Sequence, residues 1–231
     1  MVPVNKTYPR FMEWLKKGRP FTLARFNDGE MGVVAGIGKA IARGDQKITT
    51  DLKRCLSKAL SYRDKGNYWI GGPCRVCYPR LRSAFDQRTE NYPSTTPATI
   101  FCNGNRWTRF LRDSFAGLKG KNLTVFHGED QRMDALMGLI QPKSYTLYPV
   151  PIQNSFNRLD WCRKAIDASG ALPAVTLFTC GPVGRILAQE GCKKYPDTTW
   201  LDLGSVYDPL TRGVWHRCHT GQLTYCPECN R

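Results

Sequence analysis

The sequence predicts an α/β protein, a Rossmann-like three-layer sandwich built on a mostly parallel sheet. Short apolar segments alternate along the chain with segments in which apolar residues recur at helical spacing. Single helices separate successive strands, which favours parallel pairing through right-handed crossovers. The 231 residues suit one domain of this kind, and we see no internal repeat, so residues 1–231 are interpreted as a single domain.

The predicted elements cover most of the chain. Helices are predicted over residues 8–17, 31–38, 50–60, 106–115, 133–140, 159–168 and 183–189. Strands are predicted over residues 21–24, 68–70, 99–102, 123–127, 145–150, 174–179 and 200–203. Residues 73–97 contain four prolines and no hydrophobic period, which predicts an irregular insertion rich in arginine and proline. Residues 209–231 form a tail rich in cysteine and histidine.

Composition restricts the class of protein and of partner. Lysine and arginine total 34 against 19 acidic residues, and the resulting charge of +15 predicts a polyanionic partner such as nucleic acid, an anionic glycan or a membrane surface. No apolar run approaches the roughly 18 residues that a membrane span needs. The N-terminus also lacks the apolar core of a signal peptide. We therefore expect a cytoplasmic protein whose ten cysteines are thiols or metal ligands rather than disulfides.

The acidic loop Arg25-Phe26-Asn27-Asp28-Gly29-Glu30 joins a predicted strand to a predicted helix. Such a loop lies at the carboxyl edge of a sheet, where open α/β proteins bind ligands. Asp28 and Glu30 offer the oxygen ligands that Mg²⁺ or Mn²⁺ shares with phosphates, and Arg25 or helix N-terminal amides can offset further negative charge. The alternative is that Asp28 caps the helix and Glu30 complements its dipole.

Further polar loops follow later strands and should face the same edge. Thr179-Cys180-Gly181-Pro182 joins a strand to a helix, and its glycine permits a phosphate or ribose to approach the backbone closely. Asp202-Leu203-Gly204-Ser205 ends the last predicted strand. It is followed by Tyr207 and Asp208, and His127-Gly128-Glu129-Asp130 is another candidate loop. The carboxylates of these segments are candidates for a catalytic base or for contacts to sugar hydroxyls: Glu129, Asp130, Asp202 and Asp208.

Together, Arg25–Glu30, Gly181-Pro182, Leu201-Asp202-Leu203-Gly204 and Asn154-Ser155-Phe156 resemble the GT-D-type glycosyltransferases. The resemblance implies a Rossmann-like fold in which an Asp-x-Glu motif and a divalent metal, here Mn²⁺ or Mg²⁺, bind a nucleotide sugar. It implies that Asp28 and Glu30 hold the metal and so take part in catalysis. Among the other carboxylates, we expect Asp202 and Glu129 as further catalytic candidates. We expect the donor to be bound by Arg25, Phe26, Asn27, Gly29, Asn154, Gly181, Pro182 and Asp208. Asn27 stands where that motif is expected to have glycine.

Two Cys-x-x-Cys pairs predict a structural Zn²⁺ site. Cys74 and Cys77 lie in the insertion and Cys226 and Cys229 in the tail, and two such pairs supply the four thiolates of a tetrahedral site. Because about 150 residues separate the pairs, only the fold can bring them together. The alternatives are a local tail site that also uses His216, Cys218 and His219, or thiols without metal.

Arginines interleaved with aromatic residues predict a nucleic-acid surface. The arginines concerned are Arg80, Arg82, Arg88, Arg106 and Arg109. With the net charge, they suggest that the acceptor of the glycosyltransferase is DNA, for example a hydroxymethylated base of the kind some phages carry, modified in the host cytoplasm. The alternatives are a protein or cell-surface glycan acceptor, a non-catalytic nucleic-acid-binding module, and a nuclease that uses the same acidic pair.

Overall fold

The computed structural model describes residues 1–37, 46–64, 66–101, 105–168 and 174–215. In these residues seven strands form one sheet, every neighbouring pair is parallel, and the strand order is β3-β2-β1-β7-β6-β4-β5. The strands are β1 (Thr22–Arg25), β2 (Tyr68–Gly72), β3 (Thr95–Pro97), β4 (Asn122–Gly128), β5 (Ser144–Val150), β6 (Val175–Thr179) and β7 (Thr199–Asp202). The predicted Rossmann-like α/β fold is confirmed.

Helices cover both faces of this sheet. They are α1 (Val4–Lys17), α2 (Asp28–Ala35), α3 (Thr50–Ser61), α4 (Pro79–Arg88), α5 (Asn105–Leu118), α6 (Met133–Ile140), α7 (Leu159–Ala168), α8 (Val183–Lys194) and α9 (Asp208–Thr211), with a 3₁₀ helix at Ser155–Arg158. Apolar residues of α1, α5, α6 and α9 pack on one face, and those of α2, α3, α4, α7 and α8 pack on the other. Because helices cover both faces, strands such as β1 and β6 are buried at every residue. None of the described helices is both long and apolar enough to cross a bilayer.

Helix α8 lies unusually close to the sheet. A Cβ atom added at Gly184 would lie 2.7 Å from the Cβ of Phe178 on β6. One added at Gly191 would lie 2.5 Å from the ring of Trp200 on β7. These two glycines therefore let the α8 backbone approach the strands, and side chains at the start of α8 are brought directly over the ends of β6 and β7.

Two predictions about the region after β2 are wrong. Residues 73–97 are not irregular throughout, because they contain α4 and β3. The hydrophobic period of α4 was hidden because its buried face includes the charged Arg82 beside Ala84 and Phe85. The strand predicted over residues 99–102 lies earlier, at β3, which is short, ends in Pro97 and forms one edge of the sheet. Residues 99–101 form a turn, and Cys102 lies outside the described residues.

The chain order opens a crevice at the carboxyl edge of the sheet. After β1 and β6 the chain enters helices α2 and α8 on one face, whereas after β4 and β7 it enters α6 and α9 on the other. Neighbouring strands β1, β7, β6 and β4 therefore send their loops to opposite sides. Such points in an open parallel sheet are where ligands bind.

Candidate active site

A cleft of about 320 Å³ lies in this crevice, a volume suited to a small-molecule ligand. Loops that follow five neighbouring strands line it. The lining residues are Arg25, Asn27, Asp28, Gly29 and Glu30 after β1, Gly128 after β4, Pro151 and Ile152 after β5, Thr179, Cys180, Gly181, Pro182 and Arg185 after β6, and Gly204, Ser205, Asp208 and Arg212 after β7, together with Gln46. Most of the residues that the sequence suggested for donor binding are thus brought together.

The acidic pair occupies the first turn of α2. The helix is capped by Asn27 rather than by Asp28, so the alternative that Asp28 is the cap is wrong. Glu30 takes part in the cap, because its Oε2 accepts a hydrogen bond of 3.3 Å from the Asn27 N–H. Asp28, which follows the cap, is half-buried at the cleft, and its carboxylate accepts a hydrogen bond from the Tyr78 hydroxyl.

The buried guanidinium of Arg185 joins three loops beneath this acidic pair. Its Nη2 lies 3.2 Å from Glu30 Oε1, and its Nε lies 2.9 Å from Asp202 Oδ2. Nε also donates to the Arg25 carbonyl at 2.8 Å, and Nη1 donates to the Gly181 carbonyl. Arg185 therefore fixes the loops after β1, β6 and β7 relative to one another.

Burial and charge act together on Asp28. Desolvation raises the pKa of its carboxyl, and the negative charge of Glu30 raises it further, while hydrogen bonds from backbone amides and from Tyr78 oppose the shift. Two carboxylates held close together in a half-buried site repel one another. A divalent cation bound between them would relieve that repulsion.

A second cluster of hydrogen bonds supports the opposite wall, after β4. Gln131 Oε1 accepts from the Gly128 N–H at 3.0 Å and from the Thr179 hydroxyl at 2.7 Å, and Gln131 Nε2 donates to Asp208 Oδ1 at 3.0 Å. Arg212 reaches the cleft between two carboxylates, 2.5 Å from Asp130 Oδ1 and 3.6 Å from Asp208 Oδ2. This wall thus presents a guanidinium and a carboxylate to a ligand.

Unsatisfied polar atoms concentrate around the cleft. Gln46 Oε1 and Arg212 Nε belong to lining residues, are buried, and have no hydrogen-bond partner among the described residues. The buried Ser155 Oγ is equally unpartnered there, and it lies 3.7 Å from the position of a Cβ added at Gly181. Buried polar groups in folded proteins are nearly always paired, so these atoms indicate where ligand or water contacts would be made.

The residues around the cleft suit a divalent cation that completes its coordination with water and phosphate. Three arginines line the cleft, Arg25, Arg185 and Arg212. Five carboxylates lie at or beneath it, those of Asp28, Glu30, Asp130, Asp202 and Asp208. An anionic diphosphate would meet an excess of negative charge unless a cation accompanied it. Within the described part of the chain, no three His, Cys, Asp or Glu side chains cluster as a metal site would require. A Mg²⁺ ion typically uses only one or two carboxylates together with water and phosphate, and Asp28 and Glu30 would supply those two.

Several predicted site residues lie outside the cleft. Phe26 is fully buried in the core, and Asp202 is fully buried beneath the cleft, where it accepts hydrogen bonds from the N–H groups of Arg25 and Gly204. Asp202 is thus placed to hold loops in position rather than to meet a substrate. Glu129 is exposed and does not line the cleft. Asn154 Oδ1 accepts from the Lys47 N–H at 2.7 Å and so ties two loops together near Ile152.

Arg25 lines the cleft, but its guanidinium is directed into the fold. Nε donates to the Ala98 carbonyl at 2.6 Å, and Nη1 donates to the Leu203 carbonyl. The side chain is 5% exposed. In this conformation the Arg25 guanidinium does not point at a phosphate in the cleft. The other arginines that line the cleft are Arg185 and Arg212.

The arginines predicted to contact nucleic acid are dispersed. Arg82 is buried and pairs with Asp86 at 2.7 Å, so its assignment to a surface is wrong. Arg80 and Arg88 are exposed, at opposite ends of α4, which places them about 12 Å apart along the helix. Arg106 is half-buried at the start of α5. Arg109 is exposed, pairs with Asp113 at 3.4 Å and lies over the Tyr8 ring.

Of the predicted zinc ligands, Cys74 and Cys77 lie in the turn between β2 and α4, and Cys226 and Cys229 lie outside the described residues. The sequence interpretation missed Arg185, Arg212 and Gln131. Arg185 could have been suspected, because it is a charged residue within the otherwise apolar first turns of a helix. Arg212 and Gln131 carry no comparable signal in the sequence.

Solved structures of other proteins share this architecture. The chain matches a structure described as "The highly conserved domain of unknown function 1792 has a distinct glycosyltransferase fold", with a TM-score of 0.69 and 15% identity over 89% of this chain and 78% of that one. The chain has the GT-D fold. It also matches "A New Glycosyltransferase (DUF1792) from Streptococcus sanguinis", with a TM-score of 0.68 and 17% identity over 94% of this chain and 86% of that one. No protein-family model and no curated protein sequence matches it.

In this GT-D fold, replacing Arg185 by methionine should lower the free energy of unfolding by about 3–5 kcal/mol, because the fully buried Asp202 and the largely buried Glu30 would both lose this guanidinium. Arg163→Met is the matched control. Arg163 also forms a pair with a carboxylate, Glu190, but its side chain is 38% exposed, so its loss should cost no more than about 1 kcal/mol. Urea denaturation measures both, and equal losses would contradict the structural role of Arg185.

Replacing Asp28 by asparagine should stabilise the metal-free protein at neutral pH. Because the folded protein raises the pKa of Asp28, the folded state binds the proton more tightly than the unfolded state. The stability contributed by that proton is present at acidic pH and is lost as the pH rises through the folded-state pKa. The advantage of Asp28→Asn should therefore appear above that pKa and vanish in acid.

Thermal denaturation of metal-free protein across pH tests this expectation. Glu129→Gln removes an exposed carboxylate outside the cleft and serves as the control. A variant Asp28→Asn that is less stable than the original chain at neutral pH would show that the carboxylate is structural.

Proposed function

We propose that the protein is a glycosyltransferase whose nucleotide-sugar donor binds in the cleft. The observation that carries this proposal is the position of Asp28 and Glu30, in the first turn of α2 at the carboxyl edge of a GT-D fold. Of the solved structures that share the fold, one is described as having a distinct glycosyltransferase fold and another as a new glycosyltransferase. The volume of the cleft lies within the range of small-molecule sites, and polar groups and buried unsatisfied atoms line it, which supports a polar ligand.

Asp28 and Glu30 would hold Mn²⁺ or Mg²⁺ together with the donor diphosphate. When bound, the ion supplies positive charge to the leaving diphosphate. Arg185 orients Glu30 through their ion pair, and Tyr78 orients Asp28 through its hydroxyl. Gly181 has a φ of +70°, a conformation that favours glycine and leaves its backbone open to a phosphate or sugar.

The opposite wall would contact the sugar or the acceptor. Arg212 and Asp208 both line it, and the unpartnered Nε of Arg212 can donate to a ligand oxygen. Among the four carboxylates considered as a base, Asp208 is the one that lines the cleft, whereas Asp202 is buried beneath it. We therefore assign Asp208 as the first residue to test as a base or as a sugar-hydroxyl ligand.

For the acceptor we propose DNA, with a hydroxyl on a modified base as the group that receives the sugar. The net charge of +15 favours binding to a phosphate backbone. Arg75 is exposed on the turn before α4 and Arg80 on the first turn of α4. Tyr78 lies between them in sequence and donates to Asp28 at the cleft, so contacts from these arginines to a phosphate backbone would bring a base near the donor. A base reached in this way would have to leave the helical stack.

Donor binding should require a divalent cation. With Mn²⁺ present, a nucleoside diphosphate at 100 times its Kd should stabilise the protein by about 2.7 kcal/mol. Asp28→Asn and Glu30→Gln should lose this stabilisation and sugar transfer, whereas Glu129→Gln should keep both. A thermal-shift screen of nucleotide sugars with and without Mn²⁺ measures the first effect, and donor-sugar hydrolysis measures the second. Full donor binding in both acidic-pair variants would contradict the proposed site.

Binding to duplex DNA should weaken steeply with salt, with a log–log slope of roughly −0.9 for each phosphate neutralised. Arg80→Glu should weaken binding and reduce this slope. Arg88→Glu makes the same charge change at the far end of α4, so it should have a smaller effect. Radiolabelled sugar should enter hydroxymethylated DNA and not unmodified DNA. No binding at about 50 mM salt would exclude DNA, and labelling of a glycan or protein instead would identify the other acceptor class.

A further inference from the structure

Helices α1 and α5 and the turns that follow them hold much of the positive charge of the chain. These two segments, residues 4–19 and 105–121, contain ten basic and two acidic residues. They therefore carry a net charge of +8, out of +15 for the whole chain, in about one-seventh of its length. The five helices that cover the other face contain eleven basic and seven acidic residues, a net charge of +4. The excess charge is thus concentrated on one surface, the α1–α5 surface.

The two helices of the α1–α5 surface lie side by side and run in the same direction. The Tyr8 hydroxyl of α1 donates to Asp113 Oδ2 of α5 at 2.9 Å. One to two turns further along, a Cβ atom added at Gly117 would lie 2.9 Å from the Leu15 side chain. The helices precede β1 and β4, so both end at the amino edge of the parallel sheet. Each has 14 residues, so the surface they form is about 20 Å long.

Most of the cations on this surface have no carboxylate partner. Glu13 pairs with Lys17 at 2.7 Å, and Asp113 pairs with Arg109 at 3.4 Å and Arg112 at 3.2 Å, which uses both acidic residues. Six further cations form no ion pair in the described part of the chain: Lys6, Arg10, Lys16, Arg19, Lys119 and Lys121. All but the half-buried Lys121 are exposed. A bound polyanion would relieve the repulsion among these charges.

Two of the arginines are held in place by an aromatic ring. The guanidinium carbons of Arg19 and Arg10 lie over the half-exposed Trp14 ring, 4.5 Å and 5.9 Å from its centroid. A guanidinium stacked on a ring keeps N–H groups at its edge that can donate to phosphate oxygens. Because the side chain is already ordered, binding through it costs less conformational entropy than binding through a free side chain.

The same surface is poorly suited to a lipid bilayer. Among the described residues of α1 and α5, no large apolar side chain is exposed. A helix that lies on a membrane needs an apolar face to insert between the lipids. A duplex nucleic acid, in contrast, is recognised through charge alone and presents about 12 phosphates over 20 Å of its length. The density of unpaired cations on the two helices fits this second kind of partner.

We propose that the α1–α5 surface binds the phosphate backbone of duplex DNA at a distance from the cleft. This inference rests on the DNA acceptor of the proposed function and names a surface that holds it. The start of α5 adjoins the cleft wall, because the Trp107 indole donates at 2.8 Å to the Val206 carbonyl in the loop after β7. Gly204 and Ser205 of that loop line the cleft. A duplex that follows the helices from the amino edge is therefore led towards the donor.

Fluorescence anisotropy of a labelled duplex without modified bases, measured without donor or Mn²⁺, tests the proposal. The variant Lys6→Glu/Lys16→Glu/Lys119→Glu reverses three exposed charges of the α1–α5 surface. If three phosphate contacts are lost, the log–log salt slope should fall by about 2.7 and the Kd at about 0.1 M salt should rise more than about 100-fold.

The matched control is Lys53→Glu/Lys58→Glu/Lys164→Glu, which makes the same charge change at exposed lysines of α3 and α7. It should raise the Kd far less, because salt screens charges that lie more than about 10 Å from the DNA. Both variants should keep the Mn²⁺-dependent stabilisation by a nucleoside diphosphate, since none of the six lysines lines the cleft.

Because a variant can misfold, the unmodified chain gives a second readout. DNA should protect Lys16 and Lys119 from an amine-reactive reagent and leave Lys53 and Lys58 reactive. Loss of DNA binding in the first variant alone, together with this protection, would support the proposal.

Four outcomes would overturn the proposal. Equal weakening in both variants would assign binding to net charge alone. DNA binding that neither variant weakens would place the duplex elsewhere and leave the DNA acceptor standing. Preferential binding to phosphatidylglycerol vesicles, lost in the first variant, would assign the surface to a membrane. No DNA binding by the unmodified chain would exclude both this surface and the DNA acceptor, whereas donor binding in the cleft is measured separately and would be unaffected.

Discussion

The site depends above all on one buried ion-pair centre, the guanidinium of Arg185. Glu30 and Asp202 are both carboxylates in a poorly solvated place, and neither could remain charged there without a partner. By satisfying them, Arg185 permits the loop after β1 to carry its acidic pair over the end of the sheet. Its bonds to the carbonyl groups of Arg25 and Gly181 then set the spacing between two loops that are far apart in sequence. The shape of the cleft therefore depends on the ion pairs and hydrogen bonds of Arg185.

Glu30 illustrates how local folding and site chemistry share a residue. It closes the N-terminus of α2 by accepting from Asn27, it pairs with Arg185, and it faces the cleft. The capping and metal interpretations of the acidic loop were posed as alternatives, yet the capping role falls to Asn27 and Glu30, which leaves Asp28 at the cleft. The asparagine that departs from the expected motif occupies the N-cap position of α2, where asparagine is a favoured residue.

Features that depend on interactions between residues close in sequence could be predicted, whereas features that depend on residues distant in sequence could not. The strands, and the loops that contain Asp28 and Gly181, depend on local patterns: a buried apolar run, a turn and a capped helix. Arg185 depends on partners as distant as Arg25, 160 positions away, so no local pattern reveals its role. The prediction for Arg82 was wrong for a related reason, because the packing of α4, and not its local pair with Asp86, buries this side chain. The edge strand β3 is too short and too rich in proline and threonine to give a signal.

Because α8 packs closely on the sheet, mutations at residues that do not line the cleft can still change its geometry. Gly184 precedes Arg185 and rests against Phe178, so any side chain there must push the start of α8 away from β6. Such a displacement would be transmitted to the guanidinium and then to Glu30, although the altered residue touches no ligand. A mutation on the sheet-facing side of α8 can therefore shift the position of the acidic pair. A related protein with a larger residue at this position would hold the same site residues in a measurably different arrangement.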